Sequence, residues 1–277
     1  MLYFRRYLSI AIILTCFLIL YNHVIFNMVQ DWSVDDNYSH GFLIPFISIF
    51  LIWQKKGKLA VIPIKPSNYG LILLGTSLLL LFVSNIGAEL FTMRVSMLMV
   101  ILSLSVFITG WKFSKALCLP VAYLLFMIPF PAIIWNKIAF PLKLFATQMA
   151  VSFIKILNIP VYAEGNIIHL SNTTLEVVDA CSGLRSLTSL LALSAAFALI
   201  SQHSKLEKFF LFLSAIPIAI FMNIIRLSVT AILARQYGSR IAEGFLHDFS
   251  GILVFFIAII LIYIIHSLLR WCHALRS

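Results

Sequence analysis

Apolar residues in this chain come in runs close to twenty long, broken by short polar stretches that hold most of the charge. A helix needs about 20 such residues to cross the ~30 Å hydrocarbon core of a bilayer. Runs of this kind are read at 8–28, 41–53, 69–86, 91–110, 117–134, 182–201, 209–231 and 249–269. The second is short and extends back towards Tyr38. Pro120, Pro129 and Pro217 fall within the runs and predict kinks. The pattern predicts an all-α polytopic membrane protein with about eight transmembrane helices.

Composition strengthens this reading. Of 277 residues 62% are hydrophobic and 11% charged, with a mean hydropathy of +1.04. A soluble domain carries roughly a quarter charged residues, so lipid must be part of the solvent. The formal charge of +10 does not form one patch, and nucleic acid is not an expected partner. The basic residues instead sit in small groups between runs, as membrane topology requires. With the N-terminus inside, the cytoplasmic set is Arg5, Arg6, Lys55, Lys56, Lys58, Lys65, Lys112, Lys115, Lys205, Lys208, Arg270 and Arg276. Only Arg94, Arg235 and Arg240 fall in the opposite loops. This bias predicts N-in, C-in and an even number of spans. The first run is long and no small-residue cleavage site follows it, which predicts an uncleaved span.

One segment resists the pattern. Residues 133–157 are apolar, yet Lys137, Pro141, Lys143, Gln148 and Lys155 are spread through them. A ninth crossing there would put Lys205 and Lys208 outside. The expectation is an amphipathic helix in the outer interface, its lysines snorkelling to headgroups. After it, 166–170 and 174–178 alternate around Ser171-Asn172, predicting a small β-hairpin outside the membrane. The simplest organisation is one membrane domain, 1–277. Five spans occupy 1–132, the outer-face helix and hairpin 133–180, and three spans 181–277.

Four cysteines occur, at positions 16, 118, 181 and 272. No CxxC or Cys/His ligand spacing accompanies them, so neither a disulfide framework nor a metal is expected, and no cofactor. The sequence also lacks HExxH, GxGxxG and a P-loop. Ser204-Lys205 lies in a basic cytoplasmic loop and reads as an orientation signal rather than a dyad.

The informative stretch is Val177-Val178-Asp179-Ala180-Cys181-Ser182-Gly183-Leu184-Arg185, which joins the hairpin to an inward span. Asp179 as N-cap would put Cys181 in the first helical turn, where the helix dipole favours a thiolate. Arg185, four residues on, adds positive potential on the same face. Taken alone, a cysteine in so apolar a chain is more often a small filler. Arg226 lies 18 residues beyond Lys208, ~27 Å up a helix, with Asn223 three residues before it on its face. An arginine at that depth faces a polar cavity or partner, or snorkels to outer headgroups. His247 precedes the last span, also on the outer side, and can exchange a proton with a thiol or contact headgroups. The three candidates fall at the outer ends of three successive spans, and cysteine catalysis needs those three capabilities.

These residues resemble the motifs of the exosortase/archaeosortase family. The specific part is Ala180-Cys181-Ser182-Gly183-Leu184-Arg185, followed by Asn223-Ile224-Ile225-Arg226 and His247. Asn37-Tyr38-Ser39-His40-Gly41 and Glu164-Gly165-Asn166 are further marks, and the likeness covers roughly residues 32 to 255. The resemblance implies a multi-pass enzyme of the bacterial inner membrane with its site on the periplasmic face. Its partners would be exported proteins ending in a short motif such as Pro-Glu-Pro, a transmembrane helix and a basic tail. Cleavage near the motif would pass the new carboxyl end to a lipid- or glycan-linked acceptor, or to water. Position by position, Cys181 would be the nucleophile, Arg226 a stabiliser of oxyanion or substrate, and His247 the acid/base. Ser182, Gly183, Arg185 and Asn223 would support them. A transporter or an export scaffold is the alternative from another class.

Overall fold

The computed structural model describes residues 2–177, 183–201, 204–238 and 245–274, with side chains for 8–177, 183–201, 204–238 and 253–271. The chain divides into two compact units, Met1–Pro131 and Ala132–Ser277. Among the described residues six helices are long and apolar enough to cross a membrane, where the hydropathy pattern leads one to expect about eight.

The first unit runs through α1 (Leu2–Val34), a 3-10 turn (Asp36–Phe42), α2 (Ile44–Gln54), α3 (Lys56–Val61), α4 (Tyr69–Ile86), α5 (Leu90–Thr109) and α6 (Trp111–Tyr123). Helix α4 occupies the expected span, and α5 is displaced from it by one residue. Small residues bring the two together. A Cβ on Gly70 would stand 2.4 Å from the Phe107 amide nitrogen, and the buried Ser77 and Ser103 hydroxyls lie 3.3 Å apart. Close approach of this kind is how helices gain packing where lipid removes the hydrophobic drive. Tyr21 and Ser96 then join α1 to α5 by a buried hydroxyl pair at 3.0 Å.

Two expected spans come out shorter. The second is the 3-10 turn plus eleven-residue α2, whose ~16 Å rise falls well short of a bilayer core. The fifth stops at Tyr123 and continues as a 3-10 turn, Leu124–Met127. Ile128 then goes extended (φ −89°, ψ 117°), as the residue before Pro129 must to avoid the proline ring. Pro120 is accommodated inside α6.

The second unit contains α7 (Ala132–Ile156), β1 (Val161–Glu164), β2 (Ile167–Leu170), β3 (Thr174–Glu176), α8 (Leu184–Ile200), α9 (Lys205–Tyr237) and α10 (Phe245–Ala274). Helix α7 is one unbroken 25-residue helix, long and apolar enough to cross, over the residues expected to lie in the interface. Lys137 and Lys155 are exposed, Lys143 is half-buried, and Ala146, Ala150, Val151 and Ile154 form a buried stripe. That stripe packs with Leu227 and Ala231 of α9.

The expected hairpin is β2–β3, and a third strand not read from the sequence precedes it. The order is β1-β2-β3, all antiparallel, with Ile168 opposite both Ala163 and Leu175. Ile168, Leu170, Leu175 and Val177 face the α7/α9 core, so one side of this small sheet is buried. The tip is tied down as well: the Asn172 side-chain amide donates to the Arg235 carbonyl at 2.8 Å, in the last turns of α9.

Helix α8 lies antiparallel to α9. Gly183 at its start meets Asn223, while Ser194 further down donates to the Phe212 carbonyl at 3.4 Å. Leu190, Ala215, Ala219, Met222 and Ala258 share one core, which holds α8, α9 and α10 together.

Candidate active site

The site is built where α8 begins. Gly183 caps that helix in the left-handed region, φ +85° and ψ −6°. Its carbonyl accepts from the Leu187 amide at 2.9 Å. A Cβ there would lie 2.8 Å from Nδ2 of Asn223, so backbone conformation and space both select glycine. Asn223 is 3% exposed and accepts, through Oδ1, a 2.8 Å hydrogen bond from Nη2 of Arg226, itself 6% exposed. One contact chain therefore runs from Gly183 through Asn223 to Arg226. It joins two sequence motifs that are forty residues apart.

The burial of Arg226 bears on its alternatives. A guanidinium snorkelling to headgroups keeps its end in water; this one is enclosed beside Asn223, with Ser228 and Thr230 also buried along α9. Ser228 back-bonds to the Ile224 carbonyl at 2.8 Å. The C-terminal half of α9 thus carries a polar strip inside the protein.

The helix start differs from the sequence reading. Its N-cap is Gly183, not Asp179, because the positive φ ends the helical path there. Cys181 precedes that cap by two residues. Asp179, Cys181 and Ser182 lie outside the described residues. Arg185 sits half-buried in the first turn of α8, its carbonyl accepting from Ser189 at 3.0 Å.

His247 is the third residue of α10; its side chain lies outside the described ones. The direction of α10 is nevertheless clear. Near their C-terminal ends the rings of Phe197 (α8) and His266 (α10) stand 6.2 Å apart. Measured back from that pair at 1.5 Å per residue, Gly183 is ~21 Å and the His247 backbone ~29 Å along. Both helix starts are therefore at the Arg226 end of α9.

Val177 and Gly183, the described residues on either side of 178–182, each have a defined contact. Before it, Asn166 accepts from the Val177 amide at 2.8 Å and its side chain donates to the Val177 carbonyl at 3.2 Å. The adjoining Gly165 turns with φ +60°. After it comes the Gly183 contact. Asn166 belongs to a motif whose role the sequence left unassigned, and its part is to anchor the chain entering the cysteine segment.

The other accessory motif has a packing explanation within the first unit. A Cβ on Gly41 would meet the Trp32 indole at 2.4 Å, and that indole donates to the Met127 carbonyl at 2.8 Å. Tyr38 is buried, its hydroxyl accepting from the Phe130 amide at 3.1 Å; burial pushes the phenol up to about 12. Burial likewise holds the His40 imidazole below its ordinary value, against a backbone hydrogen bond at Phe126 that acts the other way.

A family model described as transmembrane exosortase (Exosortase_EpsH) matches residues 32–264, most of the chain. Neither the curated proteins nor the solved structures contain a match.

Proposed function

The chain belongs to the transmembrane exosortase family, and from that premise we propose that it is a cysteine transpeptidase or protease acting on C-terminal sorting signals of exported proteins. The observation that carries this reading is the Gly183–Asn223–Arg226 contact. Two residues of chain reach at most ~7 Å, so the Cys181 backbone lies within that reach of Gly183, and its thiol is proposed to act beside the guanidinium system.

In the proposed reaction the substrate's C-terminal helix enters between spans and presents its motif at the outer face. The Cys181 thiolate attacks the scissile carbonyl carbon, and Arg226 stabilises the oxyanion or binds a motif carboxylate. As the C–N bond breaks, the leaving amine takes a proton from His247. A thioester remains on Cys181, and the imidazole then accepts a proton from the incoming nucleophile. A lipid- or glycan-linked amine or hydroxyl gives transpeptidation; water gives hydrolysis. Asn223 and Gly183 hold the geometry, and Arg185 and Ser182 support the cysteine turn.

The decisive experiment is thiol trapping. Co-expressed substrate should yield a covalent adduct that maps to Cys181, is released by hydroxylamine, and is missing from Cys181→Ala at equal membrane levels. Processing at a normal rate by Cys181→Ala excludes thiol catalysis and leaves a transporter or scaffold.

The orientation we propose is N-in and C-in, with the hairpin outside, supported by the lysine and arginine bias. Cysteines introduced at Ser67 and Ser204 should be shielded from an impermeant outside reagent, and one at Asn172 should react. Outside labelling at Ser204 would instead make α7 a crossing and reverse the last spans.

A further inference from the structure

Between α4, α5 and α6 of the first unit lies a groove of about 530 Å³ that uses none of the candidate site residues. Leu73, Leu102 and Val106 contribute to its walls, and Trp111, Lys115 and Cys118 lie along α6. Three serine hydroxyls also line it, but each donates to a carbonyl of the turn before it. Ser77 reaches Leu73 at 2.7 Å, Ser103 reaches Met99 at 2.7 Å and Ser114 reaches Gly110 at 3.0 Å. Hydroxyls satisfied by their own helix demand little from a ligand, so the wall is effectively apolar.

We propose that this groove binds the acyl chains of an anionic diacyl phospholipid, with Lys115 at the lipid phosphate. Charge is the first argument. The groove lies where α5 ends and α6 begins, beside exposed Lys112 and Lys115, and basic pockets between spans are the sites that take anionic headgroups. Trp111, 55% exposed, is the aromatic residue expected at headgroup level.

Size decides between occupants. A transmembrane helix ~10 Å across occupies roughly 120 Å³ per residue. The groove would therefore hold only about four or five residues of a span that needs ~20. A methylene takes about the ~30 Å³ of a liquid water, so the same space holds roughly eighteen. From Trp111 to Cys118 the groove runs ~10 Å along the helix, over which one extended chain places about eight methylenes at ~1.2 Å per bond. Two chains side by side fill it, the arrangement of the upper part of a diacyl lipid.

Cys118 is exposed and lines the groove, while exposed Cys16 in α1 does not line it; the wild-type chain thus carries both reporter and reference. The full-length protein would be reconstituted in phosphatidylcholine vesicles with and without phosphatidylglycerol. A membrane-soluble maleimide is added and both thiols are followed by peptide mass mapping. Phosphatidylglycerol should slow Cys118 relative to Cys16 about fivefold, the selectivity one lysine adds at an anionic headgroup. Lys115→Glu should erase that difference. Leu102→Trp, which fills the groove, should lose phospholipid retained in native mass spectrometry. Equal Cys118 rates in the two vesicle types overturn the proposal, as does protection that survives Lys115→Glu. Should Leu102→Trp fail to fold, the surface variant Lys115→Glu decides alone.

Discussion

Among the described residues each unit encloses one arginine, and the two are held differently. In the first, Arg94 is 2% exposed and donates through Nη2 to the Asp31 carboxylate at 2.5 Å. In the second, Arg226 is 6% exposed and donates to the amide oxygen of Asn223 at 2.8 Å. A carboxylate cancels the charge of a guanidinium as well as taking its proton donor. An amide oxygen accepts the hydrogen bond and is itself neutral. The first arrangement suits a structural tie between α1 and α5. The second ties Arg226 to the residue on which Gly183 rests, which suits the role proposed for it beside an oxyanion or a motif carboxylate.

Exchanging the side chains tests that distinction most severely. Arg226→Lys and Arg226→Ala should both lower processing by ~10²–10³, the usual cost of one lost oxyanion donor, since lysine lacks the planar fork. Arg94→Lys should leave processing by the folded protein within a few fold, because a lysine still answers Asp31. Substrate turnover at matched membrane levels checks both. Full activity in Arg226→Lys, or equal damage from Arg94→Lys, would break the comparison.

Glycine substitutions sharpen it at a smaller scale. Gly41→Ala and Gly183→Ala each press a methyl into a neighbour, Trp32 in one unit and Asn223 in the other. Both should cost stability, about 1–3 kcal/mol for Gly183 with its left-handed backbone. Only Gly183→Ala should also slow turnover by the remaining folded protein, roughly tenfold, in line with a small misplacement at a reacting centre. Thermal unfolding and turnover measured on the same samples separate the two effects.

The smallest effect expected is a pH dependence in the first unit. The His40 imidazole has its folded pKa depressed by burial. Its contribution to stability is therefore complete above the unfolded value near 6.5 and is lost as pH falls through the folded value. Unfolding of wild type should become easier on acidification below about pH 6.5, with a shallower dependence in His40→Gln. A slope of opposite sign would contradict a half-buried imidazole whose pKa is lowered by desolvation.

Sequence by itself determined the features that depend on residues near one another in the chain. Helix α4 and, within a residue, α5 follow from the length of their apolar runs. The β2–β3 hairpin follows from alternation about Ser171-Asn172. The stretch Ala180–Arg185 marked the candidate site because its residue types and order are specific. Hydropathy, however, cannot tell an apolar helix from an apolar stretch broken by backbone geometry. The fifth run was therefore read through Pro129, where the chain turns extended, and β1 was missed because four residues carry too little pattern. For α7, scattered lysines pointed to the interface, whereas in the fold a stripe of alanines on the same helix packs against α9. Tertiary structure alone decided that Gly183 rests on Asn223 and that Asn166 holds Val177. These contacts join residues eleven to forty positions apart, and no local preference encodes which pairs meet. Packing of α8 and the sheet against α9 does, by bringing their ends to one level of the bundle.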